Sequence, residues 1–178
     1  MKSSQHKDNY HITSRTKNQQ WFSEPMNRVW QQSLISFEIA YSKFPVELIS
    51  FVLMQNHYHM LVRAKRCDLD GFITVFNDSF KLVNEGYHCS IIESSRYLYH
   101  SYKYVYQNPL RSTSVKFCEN YPYSSLFYLV RGIEFVIPIR DYFGFKDEFA
   151  MRWLNDLMPQ KETELVRWKI KKSSVIRK

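Results

Sequence analysis

Residues 51–63 read FVLMQNHYHMLVR. Gln55 and Asn56 separate two β-rich apolar runs, and a pair of that kind favours a turn. The segment therefore predicts a hairpin, with one arm in VELISFVLM (46–54) and the other in HYHMLVRA (57–64). Side chains on a strand alternate between faces. His57 and His59 then project together, while Tyr58 turns to the opposite face and can join a core. Two adjacent imidazoles make a clamp for a divalent metal, since neutral imidazole is a common ligand. By itself the pattern is short, and two unrelated histidines would read the same way.

Working outward from the hairpin, NYHITSRT (9–16) alternates as a strand. MNRVWQQSLISFEIAY (26–41) sets Val29, Trp30, Leu34 and Phe37 at helical spacing before Pro45 interrupts. DLDGFITVFNDSFKLVN (68–84) reads as a second helix capped by Asp68 or Asp70. HCSIIES (88–94) is extended, and Ser94 or Ser95 caps a third helix, SRYLYHSYKYVYQN (95–108). Pro109 is expected to stop that helix. YPYSSLFYLV (121–130) begins as a turn and continues as a helix, and FGFKDEFAMRWLNDLM (143–158) is helical. The order β, α, β, β, α and a further helix predicts an α+β, ferredoxin-like sandwich, an antiparallel sheet with helices on one face.

The 178 residues suit one domain plus a tail, divided here as 1–150 and a basic C-terminal helix or tail at 151–178. Residues 161–178 carry seven Lys/Arg against two Glu, which supplies +5 of the net +8. A basic chain with 17% aromatic residues suits nucleic acid, where cations meet phosphates and rings stack on bases. With only 4 Gly, the chain contains no Walker or Rossmann phosphate loop. Cys67, Cys89 and Cys118 are widely spaced and form no CxxC pair, so zinc knuckles and disulfides are not expected and a cytoplasmic location is. The first residues lack a signal-peptide core, and no apolar run reaches the length of a membrane span.

A second constellation lies in SYKYVYQNPLR (101–111). Tyr104 and Asn108 are four apart and share a helix face. Tyr97, Tyr99, Tyr102, Tyr104 and Tyr106 also read as an aromatic helix packing on a sheet, and side-chain chemistry does not choose among these phenols.

Together the two segments resemble a known family. VLMQNHYHMLV is similar to the histidine motif of the single-tyrosine HUH transposases, and YVYQNPLRS to the tyrosine helix of their branch, the REP-associated tyrosine transposases. YHITSRT, YPYSSL and YFGF resemble further elements in the same order, so the likeness spans roughly residues 9–150. It implies the HUH endonuclease fold and a catalytic domain over 1–150. It also implies that His57, His59 and Asn108 bind a divalent ion, Mg2+ or Mn2+, and that Tyr104 is the nucleophile. Gln55 stands where the family usually has proline, Tyr106 where it often has histidine, and GYHCS lacks two basic residues of the family pattern.

The implied activity is a metal-dependent single-strand DNA endonuclease and strand transferase, working through a 5′-phosphotyrosine at single-stranded or hairpin DNA. Relatives act as monomers or homodimers. An unassisted phenol, with a pKa near ~10, is a weak nucleophile at neutral pH, which is why a cation would be needed. Arg15, Arg63, Arg111, Lys169, Lys171 and Lys172 are the candidate DNA contacts. The competing expectation is a catalytically decayed or domesticated hairpin DNA-binding protein.

Overall fold

The computed structural model describes residues 6–81, 86–112, 114–144 and 148–172, together with the backbone of 174–176. The chain begins with strand β1 (Asp8–Arg15), helix α1 (Met26–Lys43) and strands β2 (Glu47–Leu53) and β3 (His57–Ala64). Helix α2 (Arg66–Phe80) leads to β4 (Tyr87–Ile92), α3 (Ser95–Tyr106), α4 (Asn108–Arg111) and α5 (Ser125–Arg131). Helices α6 (Glu148–Asn155) and α7 (Gln160–Lys172) and strand β5 (Ser174–Ile176) complete it. The sheet runs β2-β3-β1-β4-β5, and every ladder is antiparallel. Its first four strands have the expected ferredoxin-like order, with the extended segment at 88–92 serving as the fourth strand.

Alternation along the strands divides the apolar residues between two cores. Tyr10 and Ile12 of β1 and Tyr58, Met60 and Val62 of β3 face α1 and α2. There Phe37 lies 4.7 Å from Phe76 and 4.8 Å from Phe51, measured between ring centroids. Buried Tyr58 donates its hydroxyl to Asn77 Oδ1 at 2.8 Å, which satisfies the one polar atom it takes inside. Gly71 of α2 sits against Phe44, whose ring would be 2.5 Å from any Cβ there, so glycine permits the close approach of the two helices' ends.

The opposite face is covered as well, and here the expectation of helices on one face needs correcting. Ile49, Val52 and Leu61 of the sheet pack against Leu98, Tyr102 and Val105 of α3, with Leu154 of α6 and Val166 of α7. The basic C-terminal segment is thus packed through its apolar residues. A register shift in β2 between Leu48 and Ser50 lets Leu48 and Phe51, an odd number apart, face the same core.

Several helix boundaries also differ from expectation. Helix α2 starts at Arg66 after Lys65, with no side-chain cap; Asp68 lies in its first turn and Asp70 pairs with Arg66 at 3.0 Å. It ends at Phe80 with Lys81 as a left-handed cap, short of the predicted 84; residues 82–84 lie outside the described residues. Pro109 does not end the helical path. Helix α3 ends at Tyr106, and after Gln107 the proline sits at the start of α4, where its missing N–H is no loss. Ser94 caps α3 as expected, accepting from Tyr97 N.

The β2 edge of the sheet is guarded, and the other edge is the short strand β5. Along β2, Leu53 N donates to Tyr123 O at 3.0 Å, Phe51 N to Ser125 Oγ at 2.8 Å, and Arg140 N to Leu48 O at 2.7 Å. On the other side β5 pairs with Tyr87, His88 and Cys89 of β4. No helix among the described residues is long and apolar enough to cross a membrane.

Candidate active site

The face that carries α3 is also the face of the histidines. In β3, His57 and His59 point away from Tyr58, and their ring centroids lie 5.1 Å apart. Asn56, in the turn, sets the first ring. Its Nδ2 donates to Gln19 O at 2.7 Å, so its Oδ1 is the atom 2.6 Å from His57 Nδ1. An amide oxygen only accepts, so Nδ1 carries the proton and Nε2 keeps a lone pair. Burial, and then the nearby Arg15, lower the His57 pKa to about 4. Burial lowers that of His59 far below the usual imidazole range, helped by His57, His11 and Arg15. Both rings are therefore neutral at pH 7, the form that ligates metals.

Helix α3 crosses this face and sorts its five tyrosines. Tyr104, 6% exposed, meets His59 edge-on with centroids 5.4 Å apart. Tyr102 and Tyr106 turn away together: their rings are 4.8 Å apart, Tyr102 packs on Phe143, and Tyr106 hydrogen-bonds Ser125 Oγ at 2.8 Å. Tyr99 stacks near Trp153 at 4.2 Å. Tyr97 lies beneath Lys169, whose Nζ is 4.1 Å from the ring centroid.

One turn beyond Tyr104, Asn108 Nδ2 donates to Tyr104 O at 2.9 Å and Val105 O at 3.3 Å. Those bonds fix the amide and leave Oδ1 as its unused acceptor among the described residues. Neutral imidazoles and an amide oxygen are donor types that suit a divalent cation; the histidines lie side by side, and Asn108 is tied to the same helix path as Tyr104. No three His, Cys, Asp or Glu side chains cluster as metal ligands among the described residues.

The cations named from sequence fall into different settings. Arg111 stacks over the Tyr104 ring at 5.4 Å, and its Nη2 donates to Gln107 Oε1 at 2.9 Å and Thr163 Oγ1 at 3.1 Å. Its Nη1 is buried without a partner among the described residues. Arg15 is exposed and lies opposite His57 in the β1–β3 register. Arg63 is at the other end of β3, six residues from His57 and so roughly 20 Å along the strand. There it faces Glu47 at 3.8 Å, together with Lys7 and Arg140. Lys169 is half-buried against Tyr97, while Lys171 and Lys172 are exposed on α7.

Two residues escaped the sequence reading. His11 of β1 is fully buried, with Nε2 3.1 Å from His59 Nδ1. Strand alternation places it on one face with Thr13 and Arg15, but only the β1–β3 register shows that this face is the histidine face. Gln107 is fully buried. It donates to Leu154 O and Asp156 O at 2.7 and 2.6 Å and accepts from Arg111 and from Met158 N.

No protein-family model matches the chain, and no curated protein does. Among solved structures, a REP-associated tyrosine transposase bound to a REP hairpin is similar to it, with 16% identity and a TM-score of 0.55. The match covers 75% of this chain and 86% of that one. At that identity the likeness is one of fold: the antiparallel α+β sheet carrying this site is also the scaffold of a tyrosine transposase.

Proposed function

We propose that the protein is a metal-dependent single-strand DNA endonuclease and strand transferase, acting as a monomer or homodimer at hairpin-forming DNA. The observation that carries this reading is that, of the five phenols on α3, Tyr104 is the one set against the histidine pair, 5.4 Å from His59. A phenol beside two neutral imidazoles is an arrangement suited to metal-assisted phosphoryl transfer by tyrosine. The solved transposase of the same fold was bound to a REP hairpin, and the net charge of +8 suits such a polyanion.

In the reaction, the Tyr104 oxygen attacks the scissile phosphorus and loses its proton. The bond from phosphorus to the 3′ oxygen breaks, and that oxygen leaves as a protonated 3′-OH. The product is a 5′-phosphotyrosine on Tyr104. A second 3′-OH attacking this diester rejoins DNA and returns the phenol. Each step exchanges one phosphodiester for another, so no nucleotide-hydrolysis site is needed. His57, His59 and Asn108 would hold Mg2+ or Mn2+, which when bound polarises the phosphate and offsets its developing charge. Arg111 adds a fixed donor beside the nucleophile, since its unpartnered Nη1 suits a phosphate oxygen. Arg15, beside His57, and the exposed Lys171 and Lys172 are suited to backbone contacts, while Arg63 and Lys169 would meet DNA away from the histidines.

The test is a labelled single-stranded oligonucleotide with a flanking hairpin, incubated with Mn2+ and run on a denaturing gel. Wild type forms a covalent adduct. Tyr104→Phe binds the hairpin and forms none, whereas Tyr102→Phe and Tyr106→Phe keep it. An adduct from Tyr104→Phe would overturn the assignment. A catalytically silent hairpin binder is the second reading, favoured by β4, which carries no Lys or Arg. It would show binding without an adduct in the wild type.

A further inference from the structure

We infer that His11 is a positioning residue for the histidine pair: its Nε2 accepts the Nδ1 proton of His59 and so presents the His59 Nε2 lone pair to a divalent cation. This rests on the metal reading above. The contact is 3.1 Å between two buried rings, and His11 is the only hydrogen-bond partner of His59 Nδ1 among the described residues.

The argument is one of proton placement. A neutral imidazole has one N–H and one lone pair, so ligation through Nε2 requires the proton on Nδ1. At His57 that demand is met by the oxygen of Asn56. At His59 the equivalent acceptor is His11 Nε2, so both rings have their Nδ1 engaged from behind. Partners of this kind orient ligating histidines and raise their basicity. In the opposite tautomer His11 donates, and His59 carries its proton on Nε2, where it blocks ligation. A cation at Nε2 therefore selects the arrangement in which His11 accepts. The proton of His11 then resides on Nδ1, which has no partner among the described residues. Ser90, opposite His11 in the β1–β4 register, donates its hydroxyl to the backbone oxygen of His11 at 3.5 Å and not to the ring.

His11 is not itself a third ligand of the same ion. Its Nε2 is directed at His59 Nδ1, away from the Nε2 atom that would ligate. Simple packing of two core rings would make the acceptor atom dispensable, and this distinguishes the two accounts. Glutamine can place an amide oxygen near the Nε2 position, whereas phenylalanine fills similar volume without an acceptor.

The test measures Mn2+ affinity by electron paramagnetic resonance of free Mn2+, on the full chain without DNA, for wild type, His11→Phe and His11→Gln. Thermal unfolding is measured alongside to verify the fold. The expected result is a loss of about tenfold to a hundredfold in affinity for His11→Phe. His11→Gln should stay within about threefold of wild type, because the accepting oxygen is retained. As a readout free of any variant, the 15N resonances of His59 in the Mg2+-loaded wild type should show the proton on Nδ1. Unchanged Mn2+ affinity in His11→Phe overturns the inference, as does a His59 proton on Nε2 with Mg2+ bound. Wild type that binds no Mn2+ overturns the metal reading itself.

Discussion

Replacing Gln107 by leucine removes the joint between α3, α4 and the α6–α7 connection while keeping nearly the same volume. The wild-type amide makes four hydrogen bonds with no exposed surface: to Leu154 O, to Asp156 O, from Met158 N and from Arg111 Nη2. Leucine leaves Met158 N unpaired in buried surroundings, at about 1–3 kcal/mol, and leaves Leu154 O with only the weak Cys118 thiol donor at 3.8 Å. Asp156 is exposed, so its carbonyl recovers a bond from water, and Arg111 keeps its bond to Thr163. Gains from burying leucine offset part of the loss. The net expectation is a destabilisation of about 1–4 kcal/mol, appreciable against a typical total of about 5–15. For a chain of this length that is a fall in Tm of roughly 2–16 °C. The assay is urea unfolding followed by tryptophan fluorescence and circular dichroism. A loss below about 1 kcal/mol with an unchanged denaturant slope would show that the amide network is not what holds α4.

Other expectations concern charge and protons. Burial holds His57 near 4 and His11 near 3 in the folded chain, and holds His59 well below the usual imidazole range. Below pH ~6.5 the unfolded chain binds protons that the folded chain refuses, so stability present above that pH falls on acidification. The fall continues until the folded rings of His57 and His11 titrate in their turn, near 4 and 3. Urea midpoints that are the same at pH 7 and pH 5.5 would contradict this burial. On α7, Lys171→Gln with Lys172→Gln is expected to make the salt dependence of hairpin binding shallower by roughly 0.7 per lost phosphate contact. Tm should be unchanged, as both side chains are exposed. An identical salt slope would remove α7 from the DNA interface. Deleting 161–178 is a poorer test, because it also strips buried Thr163 and Val166 from the second core.

The hairpin, the first helix and the ferredoxin-like order were legible because each rests on local periodicity. His57 and His59 share a face for the same local reason. What periodicity could not supply is partnership between distant segments. The second helical layer depends on Leu154 and Val166 meeting α3, some fifty and more residues away in sequence. Tyr104 was singled out by resemblance alone, since five phenols on one helix look alike until the sheet beneath them is placed. His11 became part of the site only through the β1–β3 register. Gln107 carries no local mark of burial, because its partners lie near residue 156. The α2 cap was misplaced because a search for a capping side chain passes over Lys65, which has no side-chain bond to offer.

The guarded edge of β2 bears on how the chain is made. Residues 47–53 emerge from the ribosome long before Tyr123, Ser125 and Arg140, which supply the bonds along their outer side. At synthesis rates of about 5–20 residues per second, that edge stays bare for roughly 4–15 s after it is translated. During this interval an apolar strand with open amides can pair with a neighbouring nascent chain. Co-translational aggregation, and dependence on chaperones that bind extended segments, are thus built into the order in which this sheet acquires its borders. Once the C-terminal third is in place, the β2 border is occupied at Leu48, Phe51 and Leu53, and the strand left at the outside of the sheet is the three-residue β5, too short to offer a neighbour much of a template.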